Sequence, residues 1–164
     1  MSVSDRNEGV RGFDFLRGSW RVANRRLRSR LAGSDDWEGF EASMENSPIL
    51  GGLGNTDRYR AMRDGMGFEG FLLRLHDPET GRWSVYWADS IGCKLGPPVV
   101  GGFNDGECEL FGEDRHEGKA VLVRARYSEI TRDSARWEQA FSEDGGGTWE
   151  TNWIMQFVRE TPSR

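Results

Sequence analysis

The side chains best suited to do chemistry here are arginines and aromatics. Of 22 basic residues only Lys94 and Lys119 are lysine, and seven Trp, nine Phe and three Tyr make the chain 12% aromatic. Arginine carries a planar fork that pairs bidentately with carboxylates and stacks on rings. The codon bias of a GC-rich genome is the plainer source of the excess. The familiar catalytic constellations are missing. No serine nucleophile elbow, phosphate loop or dinucleotide fingerprint occurs. His76 and His116 stand beside turns, and neither has a second His or Cys at ligand spacing. A solvated rim is expected for both, no metal, and no zinc site. Cys93 follows Ile91-Gly92 and precedes Lys94, a cation that would favour the thiolate, but no His is near it in sequence. It reads as an ordinary free thiol. Glu138 and Glu150, with Arg136, Ala140 and Asn152, alternate away from Trp137, Gln139, Phe141, Thr151 and Trp153. The aromatic set reads as internal, so both carboxylates are expected to face solvent or a dimer partner.

What remains is an interior. If Trp20 points inward, so do Val22, Asn24 and Arg26. Residues 68–76 offer either Leu72 with Arg74, or Phe71 with Leu73 and Leu75. Residues 82–90 offer either Trp83, Val85 and Trp87, or Tyr86. Asn24, Arg26, Arg74, Tyr86, Trp87, Trp137, Gln139 and Trp153 are therefore the candidate ligand-binding residues: an aromatic cage with a few polar anchors. Buried polar groups need partners or a ligand. The competing reading is a filled core whose arginines pair with carboxylates.

Short alternating runs separated by Gly/Asp/Asn/Pro clusters place these residues on strands. The runs are 20–31, 37–46, 55–62, 68–76, 82–90, 96–103, 107–111, 120–129, 134–142 and 148–159. His76-Asp77-Pro78-Glu79-Thr80-Gly81 and Asn104-Asp105-Gly106 are turn signals. Pro97-Pro98 blocks regular pairing and marks an edge or rim. Gly112 to Gly118 reads as a charged loop. Ser142-Glu143-Asp144-Gly145-Gly146-Gly147-Thr148-Trp149 fits a turn pattern in which Asp144 accepts backbone N–H bonds. With only one copy it is structural and excludes a propeller. Ten strands in an open sheet would leave two edges, and closure removes them. The expected fold is all-β, a closed antiparallel up-and-down barrel of about ten strands. It would be one domain over 13–160, with a loosely ordered segment over 1–12 and a short plug or turn at Phe13, Phe15 and Leu16.

With 164 residues one domain suffices, and the net charge of −5 argues against nucleic acid or an anionic membrane as partner. Two cysteines build no disulfide framework, and the polar start is no signal peptide. No apolar run approaches membrane-spanning length. The cytoplasm is the expected compartment, and a homodimer is left open.

Phe13-Asp14-Phe15-Leu16-Arg17-Gly18-Ser19-Trp20 resembles the opening of bacterial lipocalin-like (calycin superfamily) domains of unknown function. Residues 73–81, Trp83 to Asp89 and Trp137 to Phe141 are similar to that group as well. The resemblance implies that Trp20 of Gly18-Ser19-Trp20 closes one barrel end beneath Arg159 from the last strand. It also implies a small hydrophobic ligand. A related haem-binding group continues as Gly-x-Trp-x-Gly-x-Gly, whereas this chain reads Trp20-Arg21-Val22-Ala23-Asn24. No cofactor is expected, haem included, and His76 would be the haem ligand were one present. Three functions are consistent with all this. They are a binding protein for a small apolar or aromatic molecule with an anionic or carbonyl group, a barrel enzyme for isomerisation, cyclisation or lyase chemistry, and an interaction module with a filled core.

Overall fold

The computed structural model describes residues 9–161. Among them ten strands run β1 (Gly18–Leu27), β2 (Trp37–Ile49), β3 (Gly54–Arg63), β4 (Met66–His76) and β5 (Trp83–Asp89). They continue as β6 (Val99–Asn104), β7 (Glu107–His116), β8 (Lys119–Ser128), β9 (Ser134–Ser142) and β10 (Glu150–Arg159). Each strand pairs antiparallel with its sequence neighbour, and β1 pairs with β10 from Trp20↔Arg159 to Arg26↔Trp153, so the sheet closes on itself. The fold is thus the all-β, closed antiparallel up-and-down barrel expected from strand spacing.

The turns follow local chemistry. Asp64-Gly65, Asp105-Gly106 and Glu117-Gly118 each form a two-residue hairpin with both residues at positive φ. That geometry matches the twist of the flanking strands. The third of these corrects the sequence reading: 112–116 is not a loop, because β7 runs unbroken to His116.

Alternation sends one face of every strand inward. On β1, Trp20, Val22 and Asn24 are buried while Arg21, Ala23 and Arg25 are exposed. On β4 the inward set is Phe68, Gly70, Leu72, Arg74 and His76, and on β5 it is Trp83, Val85 and Trp87. His76 is therefore not on a solvated rim. It is only 8% exposed, with its ring edge-on to Trp83 at 5.1 Å. Burial lowers its pKa, against the opposing pull of Asp77 and the Gly81 backbone. On β10 the register shifts between Thr151 and Trp153, and Asn152 is fully buried instead of facing out.

One end of the barrel is sealed. A 3₁₀ turn over Gly12–Leu16 drives Phe13 into a ring of aromatics, with T-shaped contacts to Trp83 (5.0 Å), Phe103 (4.8 Å) and Tyr127 (5.3 Å). Trp20 is fully buried and donates from Nε1 to the Leu16 carbonyl at 2.7 Å. The Arg159 guanidinium lies 4.2 Å over the Trp20 ring and donates to the carbonyls of Phe15 (2.6 Å), Arg132 (2.9 Å) and Arg17. Gly18 has φ +103°, and a Cβ there would lie 3.1 Å from the Arg159 guanidinium. Residues 1–8 of the segment expected to be loosely ordered lie outside the described residues. Gly9 accepts a 2.9 Å bond from Trp83 Nε1, and Gly12 abuts Phe103.

Candidate functional site

Above the sealed end the barrel encloses a cavity of about 330 Å³. That is the size of a small-ligand site. Its apolar wall is built from three indoles on three strands. Trp153 meets Trp87 edge-on at 5.9 Å and Trp137 at 5.8 Å. Large rings prefer such T-shaped contacts, in which the edge of one meets the face of the next. Two of the three indole N–H groups have partners: Trp87 Nε1 donates to Asp89 at 3.0 Å and Trp153 Nε1 to Asn24 at 2.9 Å.

Seven of the eight residues singled out from sequence border this cavity: Arg26, Arg74, Tyr86, Trp87, Trp137, Gln139 and Trp153. Tyr86 does so although its parity is opposite to that of Trp87. The eighth, Asn24, is buried behind the wall, where Oδ1 accepts from both Tyr59 Oη (2.8 Å) and Trp153 Nε1. Gln139 spends its amide on Asn152, donating from Nε2 at 2.9 Å across the β10 irregularity. Glu150 is half-buried and does not simply face solvent, since it accepts the Leu31 N–H at 2.6 Å and pins the β1–β2 loop.

The floor and the mouth differ in chemistry. At the floor Arg74 is 1% exposed and donates to Asp57 (2.7 Å), Asn55 (3.0 Å) and the Tyr127 hydroxyl (2.7 Å). Asn46 donates to Asp57 at 2.6 Å and to Asn55 at 3.0 Å. Burial alone would lower the Arg74 pKa, but Asp57 and Tyr127 outweigh it and raise it. Burial raises the pKa of Tyr127 despite Arg74.

At the mouth Arg26, Arg30 and Arg63 border the same cavity, each over an aromatic ring: Trp153 at 5.1 Å, Phe141 at 5.4 Å and Phe68 at 5.6 Å. Glu38 is 7% exposed and meets Arg63, Arg28 (3.6 Å) and Arg26 (3.9 Å). That single carboxylate leaves donors over. Among the described residues, buried Nε of Arg26, Nε of Arg63 and one terminal nitrogen of Arg30 have no hydrogen-bond partner. Burial, then Arg63, lowers the Arg26 pKa; burial, Arg26 and Arg63 bring Arg30 down to about 10. Asp89, also on the lining, is turned to the backbone N–H groups of Ile91 and Gly92 and to Trp87.

Arg30 and Arg63 were missed from sequence. A signal for Arg63 existed: Tyr59 inside Arg58-Tyr59-Arg60 sets the inward parity of β3, and Arg63 shares it. Arg30 falls in the run expected as a strand over 20–31, but β1 stops at Leu27 and Arg30 lies in the β1–β2 loop. Among the described residues no three His, Cys, Asp or Glu gather as a metal would need, and no helix is long and apolar enough to cross a membrane.

No family model matches the chain, and no curated protein matches it. Solved structures do match in fold. An S-type phycobiliprotein lyase from Guillardia theta superposes with TM-score 0.62 at 12% identity, over 97% of this chain and 98% of that one. A redesigned β-barrel superposes with TM-score 0.51 at 12% identity, over 92% and 96%.

Proposed function

We propose that the protein binds a small apolar or aromatic molecule, carrying an anionic or carbonyl group, inside the barrel. The observation that carries this reading is one cavity walled by Trp87, Trp137 and Trp153 and bordered by Arg26, Arg30 and Arg63, whose guanidiniums each keep a buried nitrogen without a partner. An unpaired buried donor costs about 1–3 kcal/mol, and a ligand acceptor would recover that. A binding barrel of this kind works in the cytoplasm without a cofactor, with Cys93 and Cys108 as free thiols, and needs neither nucleic acid nor membrane.

Native mass spectrometry of freshly purified protein, together with quenching of tryptophan fluorescence by aromatic acids, tests the proposal. A retained or titratable ligand lost in Trp153→Ala supports it. Saturable binding that ignores Trp153 and Arg26 refutes it.

A second reading has one observation in its favour. The Tyr127 hydroxyl accepts from Arg74 and borders the cavity floor, where its proton could be given to a bound substrate. On this reading the barrel is an enzyme, and Tyr127→Phe keeps binding while abolishing turnover of the bound molecule.

A further inference from the structure

We infer that the mouth of the cavity is a site for a doubly charged anionic group, a phosphate monoester or its equivalent, with the arginines of 26, 30 and 63 as its cradle. The inference rests on the cavity being the binding site and names the class of ligand that fits it. Three guanidiniums border one enclosed space, and among the described residues only Glu38 of the carboxylates lies within 4 Å of any of them there, Asp89 on the lining being turned to the backbone N–H groups of Ile91 and Gly92. Arg30 has no carboxylate within that distance. Glu113 and Asp114 also border the cavity, on β7, but they are exposed, where water and salt screen them.

Three cations are countered at close range by Glu38, which Arg28 also shares, and more weakly by Asp89 on the same lining, so the mouth keeps an excess of positive charge in a partly desolvated setting. The cations repel one another, and burial together with that repulsion weakens the hold of Arg26 and Arg30 on their protons. A dianion relieves more of that excess than a monoanion does. Geometry agrees with charge. The unpartnered groups are single N–H donors on three separate forks, drawn from β1, the β1–β2 loop and β3. A planar carboxylate presents two acceptor atoms, whereas a phosphate presents three outward oxygens, one for each fork. The indoles below would hold the organic part of the ester. Glu38 then acts as an internal counter-ion that competes with the ligand for Arg26 and Arg63.

The test compares 1-naphthyl phosphate, 1-naphthoate and 1-naphthol by calorimetry at pH 8 and low salt. These probes share a ring system and carry two, one and no charges. The phosphate should bind about tenfold more tightly than the carboxylate, and the carboxylate more tightly than the phenol. Inorganic phosphate should displace the ester but not naphthol. Arg30→Gln and Arg63→Gln should each bring the ester down to the affinity of the carboxylate. Glu38→Gln should strengthen ester binding several-fold, a gain that misfolding cannot produce. Equal affinity for phosphate, carboxylate and phenol would overturn the inference while leaving the cavity reading intact. No binding of any of the three would remove the cavity reading and the inference together. Loss of ester affinity in Glu38→Gln, with the fold retained, would mark the cluster as a structural ion pair and overturn the inference alone.

Discussion

Gly70 leaves room for Trp87: a Cβ built on Gly70 would stand 2.2 Å from the far edge of the indole. Gly70 sits at an inward position of β4, between Phe68 and Leu72, and the ring of Trp87 on β5 fills the space its missing side chain vacates. The smallest residue on one strand thus fixes where the largest on the next can lie, and so sets one wall of the cavity.

Gly70→Ala should push the Trp87 ring out of its place. Overpacking of this kind costs about 1–3 kcal/mol, and ligand affinity should fall with it. Urea denaturation followed by titration with an aromatic acid measures both. Unchanged affinity and an unchanged urea midpoint would show that Trp87 has no fixed seat.

Trp20→Ala removes a fully buried indole from beneath Arg159. The expected loss is about 3–5 kcal/mol, the usual range for deleting a buried large aromatic. Arg159→Lys should also destabilise, because a single ammonium cannot lie flat on the ring and serve three carbonyls at once. A midpoint shift no greater than that of an exposed control such as Arg21→Ala would refute the barrel-end role.

Asp57→Asn or Arg74→Met alone leaves a buried charge uncompensated, which costs about 3–5 kcal/mol. The double variant Asp57→Asn, Arg74→Met should be more stable than either single one. A double-mutant cycle by thermal or urea unfolding decides the matter, and strict additivity would mean that the 2.7 Å pair is not energetically coupled.

Asp144 accepts from Ser142 Oγ and from the backbone N–H and hydroxyl of Thr148. Those bonds, the Thr148 backbone N–H first, bring its pKa down to about 2 from an ordinary value of 3.8. A carboxyl whose folded pKa lies below its unfolded one stabilises fully above the unfolded value and loses that contribution as pH falls toward the folded value. Wild type should therefore exceed Asp144→Asn in stability near neutral pH, and the gap should close between about pH 4 and pH 2. Stability curves of the two proteins that run parallel across that interval would count against the assignment.

The barrel and most of its inner face could be read from the chain because period-two alternation survives wherever a ladder is regular. Trp20, Trp137 and Trp153 follow from it, whereas alternation alone left the parity of Trp87 open against Tyr86. Where the ladder breaks, the reading breaks with it. One irregularity between Thr151 and Trp153 turns Asn152 inward, and the polar partner of Gln139 was lost from view. His76 looked solvated because a turn follows it, yet it continues the inward set of Phe68, Leu72 and Arg74, and parity outranks proximity to a turn. The parity of β4 itself could not be settled from that strand alone. It is settled by Asp57 on β3, the only partner among the described residues within salt-bridge reach of the buried Arg74. Arg30 falls in the run read as a strand over 20–31, but β1 ends at Leu27, so alternation from Trp20 does not set the direction it faces.

The seam between β1 and β10 has a consequence for how the chain is made. Arg159 reaches back 142 residues to the carbonyl of Arg17 and 144 to that of Phe15. On the ribosome, an emerging β1 therefore waits for β10, more than a hundred residues further on, before its mate exists. Until then the growing meander has two bare edges, the state most prone to pair with a stranger. Such long-range closure also makes folding slow. The arginine-rich outer positions Arg21 and Arg25 on β1 keep that waiting edge charged, so the strand longest without its partner carries its own deterrent against the wrong one.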